Sequence, residues 1–142
     1  LTPAHIPACV ELAQLWNERK SGDESREQSL ADLQSMQFVL DHWIELEAEG
    51  GVLMVDGKVV AFTYGSPINY DTYGVCIEKA DVSYEGAFAA INREFCRHIP
   101  ERYRLINREE DLGIEGLRQA KLAYRPETIL TKHTVRLSSE NF

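Results

Sequence analysis

Cysteine is scarce in this 142-residue sequence, and the few cysteines lie far apart. They are Cys9, Cys76 and Cys96, and none belongs to a C-x-x-C pair. This spacing argues against a zinc site or a dithiol redox motif, and an odd number of thiols favours reduced cysteines in a cytoplasmic protein. The four histidines lack a His-x-x-x-His spacing as well, so we predict no metal site.

Positive charge is also scarce. Lys and Arg number 15 against 23 Asp and Glu, so the formal net charge is −8. Binding of nucleic acid through its phosphates needs a basic face, whereas the densest basic residues here are spread over several predicted elements. These residues are Arg93, Arg97, Arg102, Arg104 and Arg108. The charge therefore argues against a nucleic-acid partner.

Membrane and secretion segments are missing from the sequence. A spanning helix needs a run of about 18 or more apolar residues, and no such run occurs. The first residues have neither the basic start nor the apolar segment of a signal peptide. Serine-hydrolase and phosphate-loop signatures are absent too. We predict a cytoplasmic protein without a membrane span.

The first half of the chain predicts two helices followed by a hairpin. Thr2-Pro3 is typical of a helix start, and Gly50-Gly51 of a helix end. Asp56-Gly57 is typical of a two-residue hairpin turn. Apolar periodicity then predicts helices over residues 3–20 and 25–48 and strands over residues 52–55 and 58–65.

The second half predicts strands separated by helices. The predicted elements are a strand over residues 73–78, a helix over 84–98, a strand over 102–106, a helix over 113–123 and a last strand over 128–137. Strands joined through helices pair in parallel, and the helices cover both faces of the sheet. Since no linker or repeat is visible, we predict a single α/β (α+β) domain over residues 1–142 with a mixed sheet.

Five short segments of the second half resemble a known family. They are residues 77–81, 90–95, 106–113, 115–118 and 120–126, or IEKAD, AINREF, INREEDLG, EGLR and AKLAYRP. In this order and spacing they resemble the C-terminal domain of a mostly uncharacterised bacterial family related to phosphatidylglycerol lysyltransferases. The order of the predicted elements is similar to the acetyltransferase-like (acyl-CoA N-acyltransferase) fold.

The resemblance implies a tandem protein of two acetyltransferase-like domains, of which this chain is the C-terminal one. It also implies distant kinship with enzymes that move an aminoacyl group from charged tRNA to an amine or hydroxyl, so tRNA enters as a partner through this analogy alone. The absence of an initial Met fits a fragment or a processed chain. We expect a small-molecule or aminoacyl substrate, and either an N-terminal tandem domain or a second copy at exposed Leu12, Leu15 or Phe38.

The densest cluster of charge follows the predicted strand 102–106. It consists of Asn107, Arg108, Glu109, Glu110 and Asp111, at the strand end where α/β sheets bind ligands. Glu109 or Glu110 would take a proton from an attacking amine, and Arg108 would hold an ester or phosphate. The structural alternative is that Asp111 caps the next helix and that Arg108 bridges to a carboxylate.

Glu78-Lys79 ends the neighbouring strand, about 4.8 Å away if the two strands are adjacent. Glu78 would then reach Arg108 and join the two motifs into one site, unless the two form a buried structural ion pair. We predict Glu78 and Glu109 as catalytic residues. The predicted substrate-binding residues are Lys79, Asn107, Arg108, Glu110, Arg118, Lys121 and Tyr124. Arg118 and Lys121 share a helix face and, with the following Tyr124, would present donors to an anionic ligand. The alternative is a solvated helix face with Tyr124 packed against the sheet.

The entry to the predicted helix 84–98 departs from a coenzyme A site. Such a site needs a Gly-rich turn whose N–H groups surround the pyrophosphate, whereas this segment offers Gly86 alone for cofactor contact. Asp81 and Glu85 place negative charge there. Alternatively, Asp81 or Ser83 caps the helix and Glu85 favours its positive end. We predict no cofactor.

Two functions stay open from the sequence. The first is an acyl- or aminoacyl-transferase-like domain that acts on an amine or hydroxyl acceptor. The second is a non-catalytic domain that binds a small charged ligand or forms a structural half of a tandem protein.

Overall fold

The described residues form helices and one mixed sheet. The computed structural model describes residues 1–18 and 23–136, with the backbone alone for residues 23–29. A 3-10 turn at Pro3–His5 leads into the helices and strands, which are α1 (Ile6–Glu18), α2 (Asp23–Asp41), β1 (Glu49–Val55), β2 (Lys58–Pro67), β3 (Thr72–Ala80), α3 (Ala87–His98), β4 (Leu105–Asn107) and α4 (Glu115–Leu122).

The sheet has the order β1-β2-β3-β4. β1 and β3 pair antiparallel with β2, and β4 pairs parallel with β3. α3 is therefore the crossover between two parallel neighbours, as predicted. The hairpin turn is also confirmed, because Asp56 and Gly57 have φ of 48° and 78°, the left-handed pair that a two-residue turn requires.

β2 is buried on both faces, which places helices on both sides of the sheet. Phe62 and Tyr64 pack in a cluster with residues of α1 and α2, whereas Ala61 packs with Ala87 and Ile91 of α3. Successive strand side chains point to opposite faces, so the same alternation sets the two environments along β3. The predicted mixed α/β sheet with helices on both faces is confirmed.

Contact density divides the chain into two compact units. The first, Leu1–Glu109, contains the sheet and α1 to α3. The second, Glu110–Phe142, contains α4 and is described as far as residue 136. Within the described residues, no helix combines the length and the apolar character needed to cross a membrane.

The predicted end of the second helix was wrong. α2 ends at Asp41 and residues 42–47 form turns, of which Glu47 has a φ of 48°. Gly50 lies in β1 and does not end a helix. A Cβ there would collide with the Thr63 carbonyl oxygen and approach the Tyr64 Cβ to 3.0 Å. Close strand approach therefore explains this glycine.

The predicted last strand, 128–137, was also wrong over its described part. Residues 128–136 have no regular secondary structure, and residue 137 lies outside the described residues. Ile129 and Val135 are 71% and 89% exposed. Their β-branched pattern favours a strand, but a strand also needs a partner.

Smaller differences occur at the other boundaries. β4 begins at Leu105 and not at residue 102, because residues 101 and 102 form a turn that the Tyr103 N–H closes on the Pro100 carbonyl at 3.0 Å. Residues 19 and 20 of the first predicted helix lie outside the described residues. Leu15 and Phe38 are 42% and 57% exposed, as predicted, whereas Leu12 is buried in the core.

Candidate functional site

The candidate site lies where β4 ends. The register of β3 and β4 runs from Thr72 opposite Leu105 to Gly74 opposite Asn107. β4 stops there, whereas β3 continues to Ala80. The carboxyl end of a parallel strand is the usual ligand position in α/β sheets. The side chains that follow Asn107 therefore lie beside the unmatched half of β3.

An ion pair joins β3 to the first residue after β4. Arg108 Nη2 lies 3.0 Å from Glu78 Oε1, and the other carboxylate oxygen accepts a hydrogen bond from Asn92 Nδ2 of α3 at 2.8 Å. The Arg108 and Glu78 side chains are 23% and 13% exposed, and Asn92 is buried. The predicted contact between Glu78 and Arg108 is confirmed. It ties three elements together at one carboxylate.

Sequence reasoning missed two neighbours of this pair, Asn92 and Cys96 of α3. Asn92 comes directly after the buried Ile91, and Cys96 directly after the buried Phe95. A polar residue beside the apolar stripe of a helix was the sequence signal that could have identified them. Burial raises the pKa of the Cys96 thiol, and the positive charge of Arg108 opposes that rise. A thiol with a raised pKa is a poor nucleophile at neutral pH.

Lys79 lies on the other face of β3. Its Nζ is 3.7 Å from the centroid of the Trp16 ring in α1, whereas Glu78 contacts α3. Consecutive residues of a strand must point to opposite faces. The structure therefore does not bring Lys79 together with Glu78 and Arg108, and the sequence prediction that grouped them was wrong. Lys79 makes a cation–π contact instead.

Glu109 occupies a tight turn directly after the ion pair. Its φ is 60°, and its backbone N–H donates to Asn107 Oδ1 at 2.8 Å. The left-handed conformation costs a non-glycine residue roughly 1–2 kcal/mol, and such strain is common at functional sites. The side chain of Glu109 is exposed. Its predicted role as a base stays a prediction.

Charged side chains of the second unit bind one another. Asp111 accepts hydrogen bonds from Arg118 Nε at 2.7 Å and from the Gly113 N–H at 2.9 Å. Arg118 first and then Gly113 hold the pKa of Asp111 below its usual range, and Asp111 raises the pKa of Arg118. The N-cap of α4 is Ile114. Asp111 thus forms the preceding turn and does not cap the helix as predicted.

The remaining predicted binding residues of this unit also have internal contacts. Lys121 Nζ donates to the Glu110 carbonyl at 2.8 Å, and Lys132 Nζ pairs with Glu110 Oε1 at 3.0 Å. Tyr124 is 48% exposed, and its N–H donates to the Lys121 carbonyl at 3.2 Å. The roles of Glu110, Arg118, Lys121 and Tyr124 in substrate binding stay predictions.

The turn from β3 into α3 is built around a buried carboxylate. Asp81 Oδ1 accepts from the Ser83 hydroxyl at 2.7 Å and the Ser83 N–H at 3.0 Å, and Oδ2 lies 3.4 Å from Lys58 Nζ. These contacts, the Ser83 hydroxyl first, lower the pKa of Asp81 to about 2.

α3 starts later than predicted, because the contacts of Asp81 form a turn ahead of the helix. Asp81 closes a turn, in which its carbonyl accepts the Tyr84 N–H at 3.1 Å. Gly86, with a φ of 78°, is the N-cap, so α3 begins at Ala87. The predicted cap of this helix by Asp81 or Ser83 was wrong, although the carboxylate does bind local N–H and O–H groups. The predicted contact of Gly86 with a cofactor stays a prediction.

Solved acetyltransferases share this fold. A ribosomal-protein-alanine N-acetyltransferase from Brucella melitensis biovar Abortus 2308 superposes with a TM-score of 0.65 at 15% identity, with 96% of each chain covered. A protein described as a possible acetyltransferase from Clostridium difficile 630 gives 0.61 at 14% identity, with 97% of this chain and 95% of that chain covered. These likenesses define an α+β domain of the acyl-CoA N-acyltransferase fold.

The family is also defined. The family model of phosphatidylglycerol lysyltransferase C-terminal domains matches residues 1–136, and this chain belongs to that family. A conserved protein of unknown function from Bacteroides thetaiotaomicron VPI-5482 is 47% identical, with a TM-score of 0.77, over 91% of this chain and 43% of that one. The chain thus spans less than half the length of this relative. No curated protein matches the chain significantly.

Proposed function

We propose that this acyl- or aminoacyl-transferase-like domain transfers an acyl or aminoacyl group to an amine or hydroxyl acceptor at the end of β4. The observation that carries the proposal is the Arg108–Glu78 ion pair at 3.0 Å, followed directly by the exposed Glu109 in a left-handed turn. The family and the fold support this class of reaction.

Glu109 serves as the general base in this proposal. Its carboxylate removes a proton from the acceptor amine or hydroxyl as the acceptor attacks the carbonyl carbon of the donor ester. A new C–N or C–O bond forms, the ester C–O bond breaks, and the departing oxygen receives a proton. The exposure of Glu109 gives an acceptor direct access to it.

Arg108 and Glu78 act as positioning residues. Each oxygen of Glu78 accepts a hydrogen bond from protein, one from Arg108 and one from Asn92. We therefore move Glu78 from its predicted role in proton transfer to one in holding Arg108. Because Arg108 is next to Glu109 in the chain, the pair fixes the turn that carries the base.

We infer that the domain works as the C-terminal part of a longer cytoplasmic protein. The support is its coverage of 43% of the Bacteroides thetaiotaomicron relative and its match to a C-terminal family. The substrate is then a small molecule or an aminoacyl ester, delivered with help from the rest of that protein.

A non-catalytic binding or structural domain is the second candidate. It is favoured by the same geometry, since Glu78, Asn92 and Arg108 bind one another and lie largely out of solvent. Such a network can stabilise a fold without chemistry.

The test compares the wild-type chain with Glu109→Gln, and Glu101→Gln serves as the matched exposed control. Each protein is incubated with a panel of aminoacyl and acyl esters and primary amines, and the acylated amine is quantified by mass spectrometry. We expect product from the wild type and the control, and a rate about 100-fold lower for Glu109→Gln. Saturable amine binding without any product would favour the binding domain. Absence of both would contradict the transferase and the binding domain and would favour a structural domain.

A further inference from the structure

The fold implies coenzyme A as a donor, and the turn from β3 into α3 is where its pyrophosphate would be expected. The backbone N–H groups of a turn that leads from a strand toward a helix can surround an anion. The residues of this turn decide whether an incoming pyrophosphate fits.

The turn does contain anion-binding groups. The Ser83 N–H and hydroxyl bind one carboxylate oxygen at 3.0 and 2.7 Å, and Lys58 Nζ lies 3.4 Å from the other oxygen of the same group. N–H and O–H donors combined with an ammonium group are the usual ligands of phosphate in proteins.

The chain itself supplies the anion that these groups bind. This anion is the carboxylate of Asp81, whose side chain is 11% exposed. A pyrophosphate that used these groups would have to displace this carboxylate, and the exposed Glu85 adds a second negative charge to the same segment. Like charges repel more strongly in a partly buried site than in water. The residues of the turn therefore do not fit coenzyme A.

We propose that Asp81 is a built-in anion that occupies the turn between β3 and α3, so that the domain selects a donor without a phosphate group at this position. The inference rests on the proposed function, which supplies the donor ester, and it places the binding of that ester outside the turn between β3 and α3. Asp81 is thereby a specificity-determining residue.

The closing experiment asks whether removal of the carboxylate uncovers an anion site. Inorganic pyrophosphate and coenzyme A are titrated into the wild type, Asp81→Ala, Asp81→Asn and the matched control Glu85→Gln. The backbone amide of Ser83 is followed by NMR, and affinity is measured by calorimetry. Glu85→Gln removes one negative charge from the same segment without opening the turn.

We expect no saturable shift of the Ser83 amide in the wild type or in Glu85→Gln. Asp81→Ala should bind pyrophosphate at least about tenfold more tightly than the wild type, a difference of about 1.4 kcal/mol. Equal binding by Asp81→Ala and the wild type would overturn the proposal, as would a saturable Ser83 shift in the wild type with either probe. If Asp81→Ala does not fold, Asp81→Asn takes its place in the same comparison, because it removes the negative charge that repels pyrophosphate from the Ser83 and Lys58 groups.

This readout is independent of catalysis. A wild type that binds coenzyme A through Ser83 and also transfers from esters would overturn the inference and leave the proposed function intact. If the wild type transfers from no donor but Asp81→Ala binds pyrophosphate, the proposed function is overturned and the assignment of Asp81 as the bound anion stands.

Discussion

Two acidic side chains near the end of β3, Glu78 in the strand and Asp81 just after it, are bound in different ways. Asp81 binds Ser83, two residues away, within a single turn. Glu78 binds Arg108, 30 residues away, and Asn92, 14 residues away. The local contact shapes one turn, whereas the long-range contacts join three elements. This difference underlies our two proposals, a reaction at the end of β4 and a turn after β3 that does not accept a phosphate.

The largest effect on stability is expected when the long-range pair is broken. Arg108→Ala leaves Glu78 charged and largely buried, and we expect a loss of about 2–4 kcal/mol in the free energy of unfolding. Arg93→Ala removes an exposed cation from a pair with its neighbour Glu94 and should cost less than about 0.5 kcal/mol. Urea unfolding measures both.

A second change sharpens this prediction. Adding Glu78→Gln to Arg108→Ala removes the uncompensated charge and should recover part of the loss. A loss for Arg108→Ala as small as that for Arg93→Ala would show that the pair is not coupled to folding.

A smaller effect, dependent on pH, is expected at the turn after β3. The pKa of Asp81 is lowered to about 2, so the ionised form stabilises the fold above the ordinary pKa of about 3.9. Asp81→Asn should cost about 1–2 kcal/mol at pH 7. The difference from the wild type should shrink as the pH falls from about 4 through about 2, because the wild-type carboxylate becomes protonated. Thermal unfolding across this range checks it, and a constant difference would contradict it.

The smallest effect is expected at Glu109. Glycine adopts a positive φ without strain, so Glu109→Gly should leave stability unchanged or raise it by up to about 1 kcal/mol. The same substitution should lower the rate of transfer about 100-fold, as Glu109→Gln does, because the base is lost. Chemical unfolding and the transfer assay, carried out on one preparation, separate the two effects. A clear loss of stability would indicate that the Glu109 side chain holds the turn.

Local chemistry explains which parts of the fold were predictable. Asp56-Gly57 specifies a hairpin through two backbone conformations, and the hairpin was predicted with its turn. Residues 128–137 have an equally clear strand pattern, but a strand needs a partner that no local pattern supplies. The end of α2 was missed because Gly50 is required by the nearby Thr63 backbone, a contact made across the sheet.

The candidate site was predictable in part for the same reason. Adjacency of two parallel strands was enough to predict that Glu78 reaches Arg108. Strand alternation also predicts that Lys79 faces away from Glu78. The two residues were nevertheless grouped because they are adjacent in the sequence. Asn92 could not be paired with Glu78 from sequence, because the packing of α3 on the sheet determines that contact.

The most direct test of the account is NMR mapping of a non-hydrolysable aminoacyl ester analogue on the wild-type chain. We predict saturable shifts of the Asn107, Arg108 and Glu109 amides and of the Asn92 side-chain amide, with Ser83 and Tyr84 unchanged. Saturable shifts at Ser83 and Tyr84, with the end of β4 unchanged, would contradict it.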